Sequence, residues 1–353
     1  MSIDDYILCV DDRSFEDAID AIKSSSELIL DCEGENLGHQ GSSLSLISVR
    51  TIDSESSKTY LFDAISLTND TLRPLFDILQ SHSVTKIVFD GRMDFSELYH
   101  GRGVDLHNVL DLQLVDVDSR RQRGEDEDDQ LARLCPYLHR QEIMGQASSY
   151  SKVQKLCGLK QCLQEHNKLI DDGEYKSGDI FFFPPSKKSP LTCSSVSHDS
   201  WLKRPLPEEY LCYAARDVYF IGRLYNHFRQ GSYISDGLPD KSYRYVTIWR
   251  DAKPEAKDDF RCHGLLPLGI LDYHSHAVTR SCVGCRRDLP EGAYSKSAWR
   301  GMSKRQCWVC RAISVKQTLH RDWDREVDER YESDDNLFGY HSDDGMFDSD
   351  DSF

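Results

Sequence analysis

No stretch of this sequence approaches the roughly 18 consecutive apolar residues of a membrane-spanning helix, which excludes such a span. The opening residues, MSIDDYILCVDDRS, lack a basic stretch followed by an apolar core. No secretory leader is therefore expected. Internal repeats are absent. Positive charge is scarce: 43 Lys and Arg stand against 60 Asp and Glu, a net of −17. Twelve cysteines are present, yet they do not read as a disulfide framework. Apart from two CxxC pairs near the end they are scattered singly. With no leader, this pattern points to reduced thiols and a metal site in an intracellular protein, nuclear or cytoplasmic.

The acidic total conceals two opposed regions. Residues 321–353 hold 13 acids and 3 bases, a net of −10. Residues 280–316 hold 9 bases and 2 acids, a net of +7. Blocks of one sign usually mark tails and contact patches, so whole-chain charge does not exclude a nucleic-acid partner.

A length of 353 residues suggests more than one domain. The first two-thirds read as α/β. Phe15, Ala18, Ile19 and Ile22 share one face of a helix over Phe15–Ser24. Leu28–Cys32, Ser43–Arg50, Thr59–Phe62 and Thr85–Phe89 read as strands of a mixed sheet that opens with a meander. Thr71–Gln80 and Asp94–His100 read as helices. Asn108–Val117 is a strand or a helix crossing the sheet. Arg120–Asp129, three arginines and then five acids, reads as a solvated loop. Val153–Glu165 and Pro207–Arg229 carry helical patterns. Between them, Asp171–Lys203 is a loop or insertion containing Phe181, Phe182, Phe183 and three prolines. The expected division is an α/β domain over 5–232, a linker over 233–275, a small module over 276–316 and an acidic disordered tail over 321–353.

Three segments carry the chemistry. Leu30-Asp31-Cys32-Glu33-Gly34 ends a strand in two carboxylates at i and i+2, which the period of two places on one face. Lys86-Ile-Val-Phe-Asp90-Gly-Arg92-Met-Asp94 runs a second strand into a helix start. Tyr210-Leu-Cys212-Tyr213-Ala-Ala-Arg-Asp217 lies on a helix, where Tyr213 and Asp217 share a face at i and i+4. Singly, each reads as an ordinary acidic loop or a half-buried pair. Together they supply four carboxylates, Asp31, Glu33, Asp94 and Asp217, the oxygen donors that Mg²⁺ and Mn²⁺ prefer. Two such ions about 3.5–4 Å apart clamp the attacking and leaving oxygens of an in-line displacement at phosphorus.

On these residues the chain resembles the RNase D-like, DEDDy branch of the DEDD 3′–5′ exonucleases, over roughly residues 5–230. Asp31 and Glu33 fit the first family motif, Asp94 the second, and Tyr213 with Asp217 the third. The sibling DEDDh branch has histidine where this chain has Cys212. Trp201-Leu-Lys-Arg204-Pro-Leu, followed by Tyr213-Ala-Ala, is similar to another stretch typical of the family. Asp90 departs from it, standing where many relatives carry His or Asn. The resemblance implies a ribonuclease H-like mixed sheet and hydrolysis at the 3′ end of RNA or DNA. It implies that Asp31 bridges two Mg²⁺ or Mn²⁺ ions, that Glu33 and Asp217 complete one site, that Asp94 serves the other, and that Tyr213 orients the attacking water. Arg92, Phe182 and Arg204 are candidates for contact with single-stranded substrate, and Phe181, Phe183, Trp201 and Tyr219 for base stacking. Core packing is the competing reading for Trp201. A catalytically silent nucleic-acid adaptor is the competing reading for the whole chain.

Cys282-Val-Gly-Cys285 and Cys307-Trp-Val-Cys310 have the composition of a closed, structural Cys₄ zinc site. Arg286, Arg287, Lys304 and Arg305 surround it and are candidates for nucleic-acid contact. His263, His274 and His276 read as surface histidines. The module and the acidic tail are also candidate surfaces for a protein partner, and the tail is expected to compete with nucleic acid for the module.

Overall fold

The computed structural model describes residues 6–52, 57–135, 138, 140–166, 200–255, 264–272 and 278–318. Phe181, Phe182, Phe183, His263, His274, His276 and the tail over 321–353 lie outside these residues. Ten elements build the N-terminal part in order: β1 (Tyr6–Cys9), α1 (Asp12–Ile22), β2 (Glu27–Glu35), β3 (Ser43–Thr51), β4 (Thr59–Asp63), α2 (Asn69–Gln80), β5 (Thr85–Val88), α3 (Arg92–Arg102), β6 (Val109–Asp111) and α4 (Leu112–Ser119). The strands form one sheet in the order β1-β4-β3-β2-β5-β6. β2, β3 and β4 meander antiparallel, while β1 on one flank and β5 and β6 on the other join in parallel. This is the mixed, helix-flanked sheet expected from the sequence. Asn108–Val117 resolves into both alternatives, the edge strand β6 and then α4, whose first turn Asp111 caps through Gln113 N.

Alternation along β2 decides what each face sees. Leu28, Leu30 and Cys32 join the core made with Phe15 of α1, Leu72 and Leu75 of α2, and Phe95 and Leu98 of α3. Ile29 belongs to the opposite core. Asp31 and Glu33 share the parity of Ile29 and follow it to that second face. After α4 the chain forms α5 (Glu127–Leu134), α6 (Arg140–Gly145), α7 (Ala147–Tyr150), α8 (Leu159–Glu165), the long α9 (Glu208–Gln230) and α10 (Leu238–Val246), and α4, α8, α9 and α10 contribute to the core on this face. Val218, Ile221 and Leu224 of α9 pack beside Ile29 and Ile87. Gly222 lets the helix approach closely: a Cβ there would meet Ile29 Cδ1 at 2.7 Å.

Three expectations are corrected. The charged run over 120–129 is not a solvated loop. Arg120 is 3% exposed and binds buried Asp116, and Asp126 caps α5 through Asp129 N. A block of arginines followed by a block of acids concealed inward-facing ion pairs. The helical pattern over 153–165 holds only from Leu159. Residues 154–156 instead run extended, with Lys155 bridged to Leu265 and Leu156 N bonded to Gly264 O. The span 233–275 is not a bare linker. It contains α10 and buries Leu238, Tyr245, Val246, Trp249, Leu265 and Ile270. Its apolar residues are few, but Leu238 and Tyr245 join the core on the second face and Val246 the core on the first.

The last described part is a small hairpin, β7 (Thr279–Ser281) with β8 (Asp288–Pro290), then α11 (Lys296–Trp299) and a helical stretch over 308–318. It shares a core with the preceding arm: Leu134, Ile143 and Tyr150 pack with Leu289, Trp308 and Ile313. Tyr150 meets Trp308 edge to face at 5.6 Å.

Candidate active site

The end of β2 and the first half of α9 meet over the sheet. Carboxylate oxygens of Asp31, Glu33 and Asp217 lie within 4.8 Å of one another. All three remain partly open to solvent. Asp94 approaches from the first turn of α3 and is 6% exposed. Its Oδ1 accepts from Cys32 N at 2.8 Å, so it is tied to the backbone between the two acids of β2. The register of β2 against β3 shifts between Glu33 and Gly34, and pairing resumes as Gly34 with Leu44 and Glu35 with Ser43. The four acids singled out in the sequence therefore converge, three as a tight group and Asp94 beside them.

Electrostatics distinguish this group from a solvated acidic patch. Removal from water, then the charges of Glu33, Asp94 and Asp217, hold Asp31 well above the usual carboxylate range. Glu33 is raised in the same way, first by burial and then by Asp217 and Asp94. Burial raises Asp217 to about 6, against a hydrogen bond from Tyr213 that lowers it. Burial raises Asp94 to about 7, against the Cys32 amide and with Asp90 and Asp111 adding to the rise. Four carboxylates that repel one another at close range suit a divalent cation, which would remove the repulsion. The oxygen-only donor set suits Mg²⁺ or Mn²⁺.

Tyr213 bonds Asp217. Burial and the charges of Asp217, Glu33 and Asp31 push its phenol above the normal range. It stays protonated at neutral pH and is suited to donating a hydrogen bond, not to taking a proton. Trp201 and Arg204 hold the helix that carries it. Trp201 is 1% exposed and meets Tyr210 and Tyr213 edge to face at 4.8 and 6.2 Å. Arg204 forks onto Asp63, with Nε 2.6 Å and Nη2 2.8 Å from its oxygens. Its Nη1 also donates to Trp201 O at 2.9 Å. Arg204 is thereby corrected from a substrate contact to a clamp, and the packing reading of Trp201 holds.

Arg92 is corrected as well. It is 6% exposed, pairs with Asp90 through Nε and Nη2 (2.5 and 2.8 Å), and lies over the Tyr245 ring at 4.8 Å. Asp90 holds a positive φ of 57° at the turn into α3. Asp111 fixes this turn by accepting from Asp90 N at 3.1 Å and Gly91 N at 3.0 Å. Sequence reasoning missed this support for Asp94. Its signal was an apolar strand, Val109–Leu110, ending in an acid. It also missed Glu97, one turn after Asp94. Glu97 accepts from Gly38 N at 3.2 Å and Lys253 Nζ at 2.9 Å, and bonds Ser42, so it holds the loop that follows Glu33. Tyr219 lies on the same helix as the site, with Arg50 over its ring at 5.2 Å.

The four cysteines form a separate centre. The Sγ atoms of Cys282, Cys285, Cys307 and Cys310 lie within 4.8 Å of one another. Cys282 Sγ accepts from Gly284 N at 3.4 Å and Cys307 N at 3.2 Å, as thiolate ligands accept backbone amides. An all-sulfur set fits tetrahedral Zn²⁺, and three of the four cysteines are buried, which suits a closed structural site. Of the nearby bases, Arg286 and Lys304 are exposed and Arg305 is partly exposed. Arg287 is corrected: its Nη1 turns inward to Leu268 O at 2.5 Å. There it helps to balance the charge of the sulfurs.

Residues 6–166 match the family model for the 3′–5′ exonuclease domain. The match includes Asp31, Glu33 and Asp94 and ends before α9. Among solved structures the chain is similar to RNase D of Trypanosoma brucei in complex with RNA U12, at 20% identity over 71% of this chain and 72% of that one, with a TM-score of 0.48. Escherichia coli RNase D shares 19% identity over 70% of this chain and 54% of its own, with a TM-score of 0.43. The Nibbler EXO domain of Aedes aegypti shares 17% over 68% and 94%, with a TM-score of 0.42. No curated protein matches the chain. Among the described residues, no helix is long and apolar enough to cross a membrane.

Proposed function

We propose that this protein is a metal-dependent 3′–5′ exonuclease that hydrolyses phosphodiester bonds at the 3′ end of single-stranded RNA or DNA. The observation that carries the reading is the convergence of Asp31, Glu33 and Asp217 within 4.8 Å, with Tyr213 bonded to Asp217. The exonuclease-domain match over 6–166 supports it independently.

Asp31, Glu33 and Asp217 would hold one Mg²⁺ or Mn²⁺, and Asp31 with Asp94 a second. Ions so held supply a nucleophilic water near neutral pH and neutralise charge on the phosphoryl oxygens. The chain's own residues supply placement. The Cys32 amide fixes Asp94, the Asp111-held turn fixes α3, and Gly222 seats α9 against β2. Protonated Tyr213 donates a hydrogen bond that orients the attacking water or the phosphate. Glu97 and Lys253 hold the loop after Glu33 in place. The cysteine centre would hold one structural Zn²⁺, and exposed Arg286 and Lys304 with partly exposed Arg305 would meet the nucleic-acid backbone away from the carboxylates. The acidic tail would compete for that surface.

The test uses single-stranded RNA and DNA labelled at the 3′ or the 5′ end, incubated with Mn²⁺, Mg²⁺ or EDTA. Early loss of the 3′ label, stepwise shortening of the 5′-labelled strand and arrest by EDTA are expected. Retained binding without shortening in either metal would replace the enzyme with a silent nucleic-acid adaptor.

A further inference from the structure

A third cluster of metal-ligating side chains lies in the interior, away from both centres described above. Asp116 of α4 and Cys162 are fully buried, Cys157 is 3% exposed and His166 6%. The ligand atoms of Asp116, Cys162 and His166 lie within 4.8 Å of one another. His166 Nε2 is 3.0 Å from Asp116 Oδ1, and Cys157 Sγ is 3.5 Å from Asp116 Oδ2. Cys157 and Cys162 are themselves hydrogen-bonded neighbours.

Local structure explains the convergence. Cys162 and His166 stand at i and i+4 across the last turns of α8, which puts thiol and imidazole on one face. Cys157 ends the extended stretch that Leu265 and Gly264 hold in place. Asp116 enters from α4. The next layer is also formed: Arg120 Nη2 and Arg123 Nη2 bind the two oxygens of Asp116 at 2.8 and 2.7 Å. His166 Nδ1 lies 3.2 Å from His227 Nε2 of α9. Metal-bound histidines and carboxylates are oriented by second partners of this kind.

A hydrogen-bonded hub around Asp116 is the competing account. It explains the arginines, which already neutralise the carboxylate. It does not explain why two thiols and an imidazole, weak or unneeded partners for a neutralised carboxylate, fill the remaining sides. Two thiols, one imidazole and one carboxylate are a four-donor set for Zn²⁺. Tetrahedral bonds of about 2.0–2.3 Å put donors roughly 3.3–3.8 Å apart; the Cys157–Asp116 distance of 3.5 Å falls in that range and the His166–Asp116 distance of 3.0 Å just below it. Binding Zn²⁺ with release of two thiol protons leaves the buried charge unchanged, so the pocket accepts the ion without a new uncompensated charge.

We propose that Asp116, Cys157, Cys162 and His166 form a second, structural Zn²⁺ site that ties α4 and α8 to α9, the helix carrying Tyr213 and Asp217. The proposal does not depend on the exonuclease reading. The test is zinc content per chain in the full-length protein, measured after exhaustive desalting into Mg²⁺ buffer, which displaces zinc held only by carboxylates. Two zinc ions per chain are expected in the wild type and one in each of Cys162→Ser and Cys282→Ser. One zinc or fewer in the wild type, with the count unchanged by Cys162→Ser, overturns the proposal. Should Cys162→Ser fail to fold, Co²⁺ replacement in the wild type decides. Two Co²⁺ per chain with a mixed sulfur–nitrogen spectrum added to the all-sulfur one supports the site. A single all-sulfur spectrum at one Co²⁺ contradicts it.

Discussion

The carboxylate cluster and the Cys282–Cys310 cluster are both groups of donors within 4.8 Å, yet they are built in opposite ways. Two short CxxC turns make the sulfur centre, and a surrounding core closes it. The carboxylate centre draws on β2, α3 and α9, and its tight trio stays partly open. Closed soft donors hold an ion to stabilise the fold, whereas open hard donors leave positions for water and phosphate. The difference teaches that donor type and access, more than proximity, separate a structural from a catalytic centre.

Stability should separate the two most strongly. Cys282→Ser should destabilise the protein by several kcal/mol, because binding energy at a structural zinc is folding energy. Thermal denaturation should show the loss, together with changed fluorescence from Trp299 and Trp308. Asp31→Asn should instead leave the melting temperature unchanged or raise it in metal-free buffer, since it removes a repelled charge. Equal destabilisation by both variants would break the comparison.

Tyr213→Phe should next lower kcat by about 10–100-fold with little change in stability, as expected for loss of one orienting hydrogen bond. A high-pH limb in the wild-type profile that vanishes in the variant would contradict a phenol that stays protonated.

Acid–base behaviour offers a third test. In the metal-free protein Asp217 is raised to about 6 and Asp94 to about 7. Their folded values exceed the unfolded ones, so the folded state binds more protons between about pH 4 and pH 7. Stability should fall as pH rises through that window and level off above it. Saturating Mg²⁺ should flatten the decline, and urea denaturation at stepped pH measures both. A metal-free protein that gained stability across the window would contradict the repulsion.

The smallest effect is expected from Gly222→Ala. The added methyl meets Ile29 Cδ1, the movable end of its side chain, so α9 should shift slightly from β2. The variant should cost about 1 kcal/mol of stability and a few-fold in kcat. Thermal denaturation and steady-state rates check the two.

Much of this site was legible because its determinants are local. Parity along β2 placed Asp31 with Glu33, and an i, i+4 step placed Tyr213 with Asp217. Support from distant residues was not legible. Arg92 and Arg204 looked like surface bases because Tyr245 and Asp63, which cover them, meet them only after folding. Arg120 and Arg123 were hidden in a run so densely charged that it resembles a solvated loop, and their partner Asp116 sits in an apolar stretch. The helix α10 was missed because three buried apolar residues, Leu238, Tyr245 and Val246, look sparse in a polar segment. The division into domains was blurred for a related reason: the cysteine module shares its core with α5–α7, far away in sequence.

The most direct test of the central claim is the rate of 3′ shortening of a 5′-labelled single-stranded oligonucleotide at saturating Mn²⁺, with Asp31→Asn beside the wild type. The account predicts stepwise shortening by the wild type and a loss of at least about 1,000-fold in a variant that remains folded. Shortening by Asp31→Asn at the wild-type rate would contradict it.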